Sequence, residues 1–129
     1  PTQTSRAALV EILERLSSAN RGSFLAVLKA LGPASQGLLS FPTEGYTLAL
    51  DLPNTGGDLV DELQRIDQIV LRAGGRVYLA KDACMRPEDF VAMYPGLAQF
   101  KAVKAAVDPE QRFSSSQARR LGIVEAGAR

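Results

Sequence analysis

Leu9, Ile12, Leu13 and Leu16 recur at i, i+3, i+4 and i+7, the spacing of one helical face. Thr4 or Ser5 stands where an N-cap belongs, and Asn20-Arg21-Gly22 supplies a left-handed stop. Residues 23–31 are apolar on both faces apart from Lys29, which predicts a central strand covered on each side. Gly32-Pro33 breaks it, and residues 45–52 read as a second strand stopped by Pro53-Asn54. The strongest helical pattern follows: Leu59, Val60, Leu63, Ile66, Ile69 and Val70 form one stripe, Asn54 or Thr55 can cap it, and Gly74 provides its C-terminal turn. Val77 and Leu79 predict a short third strand after the Gly74-Gly75 turn. Beyond it, Pro87 opens a helix through Met93, a second helix carries Leu97, Phe100, Val103 and Val107, and a short turn spans 116–121.

Helix, strand, strand, helix, strand and a helical appendix make most of a split βαβ layer. The expected class is α+β: a partial ferredoxin-like antiparallel sheet of about three strands, helices on one face, and a C-terminal helical appendix. That layer lacks a first strand, so one sheet edge is expected to be open and to recruit a partner, with a homodimer as the simplest outcome.

Composition removes whole classes of function. At 129 residues the chain is one domain's worth, and 15 basic against 14 acidic residues give a net charge of +1. Such balance makes no electrostatic case for nucleic acid. Histidine is absent and Cys84 is the single cysteine, which excludes a disulfide and argues against zinc, haem or a Ser-His-Asp triad. No apolar run approaches the ~20 residues that span a bilayer. The expected location is cytoplasmic, with peripheral attachment to the inner membrane left open. The chain opens Pro1-Thr2-Gln3 without methionine, which points to a portion of a longer polypeptide or to processing.

Two lysines carry the candidate chemistry. Lys29 interrupts an apolar strand, and Lys81 ends the third one beside Asp82. An ammonium left unpaired in a core costs several kcal/mol, so two lysines on core strands suggest a polar pocket between them. Asp58, Asp61, Glu62 and Asp67 read as a solvated helix face, with Asp61 supporting Arg65 at i+4. Arg119-Arg120 reads as a solvated helix end. Cys84 reads as a bystander whose pKa Lys81 and Arg86 would lower somewhat.

Several strings together resemble a known family: 23–33, Leu39-Ser40-Phe41-Pro42, Gly45-Tyr46, residues 74–82, Ala92-Met93-Tyr94-Pro95, Val107-Asp108-Pro109 and Arg112-Phe113. Their order and spacing resemble the C-terminal part of FAD-linked oxidases of the vanillyl-alcohol oxidase class, over about residues 5–123. The resemblance implies a parent with an N-terminal FAD domain and a substrate domain. Residues 1–80 would be part of the substrate (cap) domain, 81–123 a helical segment returning to the FAD domain, and 124–129 a disordered tail. Lys81 matches the family lysine set against flavin and substrate, the catalytic position, and Tyr78 matches a tyrosine that touches the flavin. Lys29 matches a substrate-pocket lysine, and Leu31, Thr47 and Ala49 fall at further pocket positions. There the family pattern carries an aromatic, an amide and a thiol, so this pocket has a different shape. The implied chemistry is oxidation of a secondary alcohol of a sugar or polyol, with FAD bound mainly by a domain absent from this chain and the fragment alone inactive. A stand-alone ferredoxin-like ligand-binding or regulatory module is the alternative.

Overall fold

The computed structural model describes residues 1–54, 56, 58–125 and 127. Among them are five α-helices and a two-stranded antiparallel sheet, an α+β arrangement. Helix α1 is Thr2–Ser18, and its Ile12 and Leu16 are buried. Its N-cap is Pro1, not Thr4 or Ser5, because the helix starts earlier than its apolar stripe. Asn20 takes the left-handed stop with φ 52°.

Strands β1 (Ala26–Leu31) and β2 (Gly45–Leu50) pair in register from Ala26 opposite Leu50 to Leu31 opposite Gly45. The expected burial of β1 on both faces is not realised. Val27 and Leu31 are half-buried, whereas Ala26, Leu28, Lys29 and Ala30 are exposed. Nothing among the described residues covers its second face, and Leu28 is 57% and the preceding Phe24 86% exposed. Both strands are edges, each with one side of its backbone unpaired.

Helix α2 (Leu59–Arg72) is the wall shared by two cores. On one side Ile69 joins Ile12 and Leu16 of α1, with Leu50 and Leu52 packed against them. On the other, Val70 and Leu71 pack on Met85, Phe90, Met93, Tyr94, Leu97 and Leu121. Complete burial of a side chain such as Phe90 is worth roughly 1.5–3 kcal/mol, so the second core holds the helical appendix to α2. Asp58 occupies the N-cap position of α2 while Asn54 Oδ1 accepts from Gly56 N; Thr55, the other cap candidate, lies outside the described residues. Gly74, φ 72°, makes the expected turn.

The third strand does not form. Residues 75–78 form no strand, Tyr78 being extended without a ladder partner, and Leu79–Lys81 is a single 3-10 turn. Side chains replace the ladder: Tyr94 Oη donates to Val77 O at 2.7 Å and Gln117 Nε2 to Leu79 O at 2.6 Å. Buried backbone groups need partners, and here the helical appendix provides them. The sheet is therefore two-stranded, one fewer than the pattern predicts.

The appendix follows the pattern closely: α3 is Pro87–Met93, α4 Leu97–Val107 and α5 Ser116–Arg120. Gly96, between α3 and α4, lies so close to the 38–41 loop that a Cβ there would sit 2.3 Å from Leu38 O. In the 124–129 tail, Val124 is buried and Glu125 N donates to Gln111 Oε1, while residues 126, 128 and 129 lie outside the described set.

Candidate functional site

Alternation along a strand and the β1–β2 register place Val27, Lys29, Leu31, Thr47 and Ala49 on one sheet face, with Lys29 directly opposite Thr47. Residues 76–81 run past this face. Between them lies a cleft of about 410 Å³. Its walls include Lys29, Leu31, Thr47, Ala49, Tyr78 and Lys81, which are all six residues the sequence singled out. The folded chain thus converges positions spread over more than fifty residues onto one concavity.

The lysines do not sit in a core as their place among apolar residues predicts. Neither lysine is buried: both ammonium-bearing side chains are exposed at the cleft, and neither makes a hydrogen bond or ion pair among the described residues. Nor does Lys81 stand beside an available carboxylate. Asp82 turns inward, its side chain 1% exposed, and pairs with Arg120 at 2.6 Å.

That inward turn fixes the lysine. Asp82 accepts from Cys84 N at 3.1 Å, Met85 N at 2.8 Å, Gln117 Nε2 at 3.3 Å and Arg120 Nη2 at 2.6 Å. Arg120 also donates to Met85 O at 2.6 Å, and Gln117 to Leu79 O. Helix α5 therefore clamps the 3-10 turn from both ends, with Lys81 projecting outward from a pinned backbone. Arg119 and Arg120 are not a solvated helix end; both are half-buried, and Arg119 donates to Ser114 Oγ at 2.8 Å.

Tyr78 is 46% exposed and packs against Phe41 with ring centroids 4.8 Å apart, forming an aromatic ledge on the cleft wall. Arg76 lies beneath it, its guanidinium 5.4 Å from the Tyr94 ring centre and its Nη1 donating to Ser40 O at 2.9 Å. Its Nε is buried and has no hydrogen-bond partner. Burial pushes the Tyr94 hydroxyl up to about 12, so it remains a donor to Val77 at neutral pH.

The acidic face of α2 also differs from expectation. Asp58 and Asp61 are exposed, but Glu62 is buried and held by Arg15 and Arg65, so Arg65 pairs with Glu62 at i−3 and not with Asp61. The hydrogen bond from Arg15 pulls the Glu62 carboxyl below its ordinary range. Asp67 is buried too, and it lines the cleft. Burial, with Asp82 and Asp89 adding to it, pushes its carboxyl up to about 6. The same surroundings act on Cys84: burial first, then the carboxylates of Asp67 and Asp82, raise its thiol, opposite to the lowering expected from Lys81 and Arg86. Asp67 was legible in part, since it sits at i+4 from Leu63 and i−3 from Val70, on the apolar side of the helix. No such signal marked Asp82 or Arg120, whose meeting depends on the tertiary path.

Among the described residues there is no cluster of metal ligands and no helix long and apolar enough to cross a membrane. Residues 62–121 match the model of the D-arabinono-1,4-lactone oxidase family. The chain is similar to the C-terminal part of FAD-linked oxidases. The match begins in α2 and contains Tyr78, Lys81 and the whole α5 clamp. Two relatives extend it. The chain is 43% identical over 115 residues to an uncharacterised protein in the mprA 5′ region of Streptomyces coelicolor, covering 89% of this chain and 31% of that one. It is 41% identical over 102 residues to the decaprenylphosphoryl-β-D-ribose oxidase of Mycolicibacterium smegmatis, covering 79% of this chain and 22% of that one. The chain therefore spans less than a third of the length of either relative.

Proposed function

We propose that this chain is the C-terminal, substrate-domain portion of an FAD-dependent oxidoreductase that oxidises a secondary alcohol of a sugar or polyol. The convergence of Lys29, Leu31, Thr47, Ala49, Tyr78 and Lys81 on one cleft is the observation that carries this reading. The family match and the sugar in the mycobacterial relative's name support the reaction and substrate class. In this reading the FAD domain belongs to the same polypeptide, upstream, and the portion described has no activity alone.

The residues fit a flavin. Tyr78 and Phe41 present an accessible aromatic ledge, and Lys81 is a cation without a partner among the described residues. Bound FAD would supply the hydride acceptor for the alcohol carbon. Lys81, held outward by the α5 clamp, would stabilise negative charge developing beside it, an electrostatic role that needs a fixed backbone and a free ammonium. Lys29 would bind a polar or anionic substrate group from the opposite wall. Thr47 offers one hydroxyl, and Leu31 and Ala49 offer apolar surface only, so the substrate is held by fewer side-chain hydrogen bonds than an amide-lined pocket would provide.

Expression of the full-length polypeptide tests the reading. FAD is expected to copurify, visible as flavin absorbance and by mass spectrometry; a colourless protein that takes up no added FAD would end the proposal. The unpaired sheet edges carry a second expectation. An isolated two-stranded sheet is marginal in water, and Leu28 within β1 and Phe24 just before it lie uncovered. Light scattering of the isolated chain should therefore show a dimer. A monomer at high concentration would assign those edges to another part of the parent.

A further inference from the structure

Asp67 is buried on α2, 8% exposed, and makes neither a hydrogen bond nor an ion pair among the described residues. Removing a carboxylate from water without donors costs several kcal/mol, and such a group ordinarily finds a partner. Its neighbours on the helix did: Glu62 has Arg15 and Arg65, and the nearby Asp89 has Arg86 and Gln68. Asp67 instead lines the cleft that holds Lys29, Tyr78 and Lys81. The Asp67 carboxylate oxygens are not themselves fully buried, whereas Arg76 Nε, on a residue of the same cleft, is fully buried and has no hydrogen-bond partner among the described residues. A carboxylate acceptor without a protein donor among the described residues, on the wall of a concavity, is a place where a ligand hydroxyl can donate.

We propose that Asp67 is the proton acceptor of this cleft, receiving the hydroxyl proton of the secondary alcohol. The proposal rests on the oxidase reading and adds the base which that reading lacks. The step is a proton transfer: the alcohol O–H bond breaks, its electron pair stays on oxygen, and the proton becomes the Oδ–H of Asp67. A base works best with a pKa near the working pH. Burial, assisted by Asp82 and Asp89 and opposed by Arg86, puts the Asp67 carboxyl at about 6, well above an ordinary aspartate. Toward the cleft it shares walls with Lys29, Arg76, Tyr78 and Lys81, and the Cys84 thiol lies on the Asp82 side.

The test uses the FAD-loaded full-length polypeptide with ribitol as the polyol probe, comparing wild type, Asp67→Asn and Asp67→Glu. Wild-type kcat/KM is expected to rise with pH up to about 6 and level off above it. Asp67→Asn should keep its flavin and bind ribitol within a factor of about 3 by calorimetry, yet lose roughly 100-fold in kcat together with the acid limb, and Asp67→Glu should recover part of both. Wild-type turnover in Asp67→Asn, an unchanged acid limb, or a loss confined to ribitol affinity would each overturn the assignment. Flavin-loaded wild type that leaves ribitol unoxidised at every pH overturns it as well. A polypeptide that takes up no flavin overturns the parent reading first.

Discussion

Lys81→Ala in the full-length polypeptide is expected to lower the rate of flavin reduction by about 10³-fold while shifting unfolding stability by no more than ~0.5 kcal/mol. The asymmetry follows from the placement of the side chain. Lys81 is exposed and makes no hydrogen bond or ion pair among the described residues, so its removal breaks nothing in the fold. A preorganised charge beside a developing anion is worth more in a closed site than in water, because the site has fewer dipoles to reorient. Stopped-flow reduction with excess substrate isolates the step from reoxidation. A reduction rate within tenfold of wild type would remove Lys81 from the chemistry, whatever the protein's flavin content.

Asp67 brings an opposite coupling of stability to pH. Its folded-state carboxyl is raised to about 6 from an ordinary 3.8, so the folded chain holds a proton that the unfolded chain releases earlier. Its contribution to stability is therefore complete below about pH 4 and is lost as pH rises through about 6. At neutral pH the buried carboxylate is a burden, and a cleft that keeps it sacrifices fold stability for chemistry.

Local chemistry explains which elements the sequence made legible. Pro87 at the start of α3 and the apolar spacing of α4 are short-range signals, and both helices have the bounds those signals predict. The third strand failed because Val77 and Leu79 have strand-like side chains but no neighbouring backbone to pair with; whether a segment becomes a strand is decided by its partner. The reading of β1 as central failed for the related reason that both apolar faces demand cover, and the described chain supplies cover for one. Phe24 and Leu28 record that demand on the surface. At the cleft, resemblance to a family pointed to six positions that the folded chain brings together, Asp67 showed only through its place on the apolar side of α2, and the α5 clamp emerges only when residues 76–82 and α5 meet.

The clamp carries the largest expected stability effect. Asp82→Ala should destabilise the chain by about 3 kcal/mol, because it removes a buried carboxylate that accepts from Cys84 N, Met85 N, Gln117 and the partly exposed Arg120. Arg120, its side chain 31% exposed, would keep Met85 O as its one partner among the described residues. The amides of Cys84 and Met85 would lose their acceptor, and Gln117 would hold the turn through Leu79 O alone. With a typical domain stable by only about 5–15 kcal/mol, this loss should appear as a large drop in urea midpoint. Asp82→Asn separates shape from charge: its amide oxygen still accepts from the two backbone amides, so it should fall between alanine and wild type. An alanine variant within ~1 kcal/mol of wild type would mean that the appendix holds the turn through Tyr94, Phe90 and Leu121 packing without the ion pair. Lys81 would then owe its position to the apolar core, and Arg120→Ala should leave flavin reduction unchanged. If the clamp is what aims Lys81, Arg120→Ala should slow reduction while leaving the substrate dissociation constant nearly constant, since a displaced charge harms the transition state more than it harms binding.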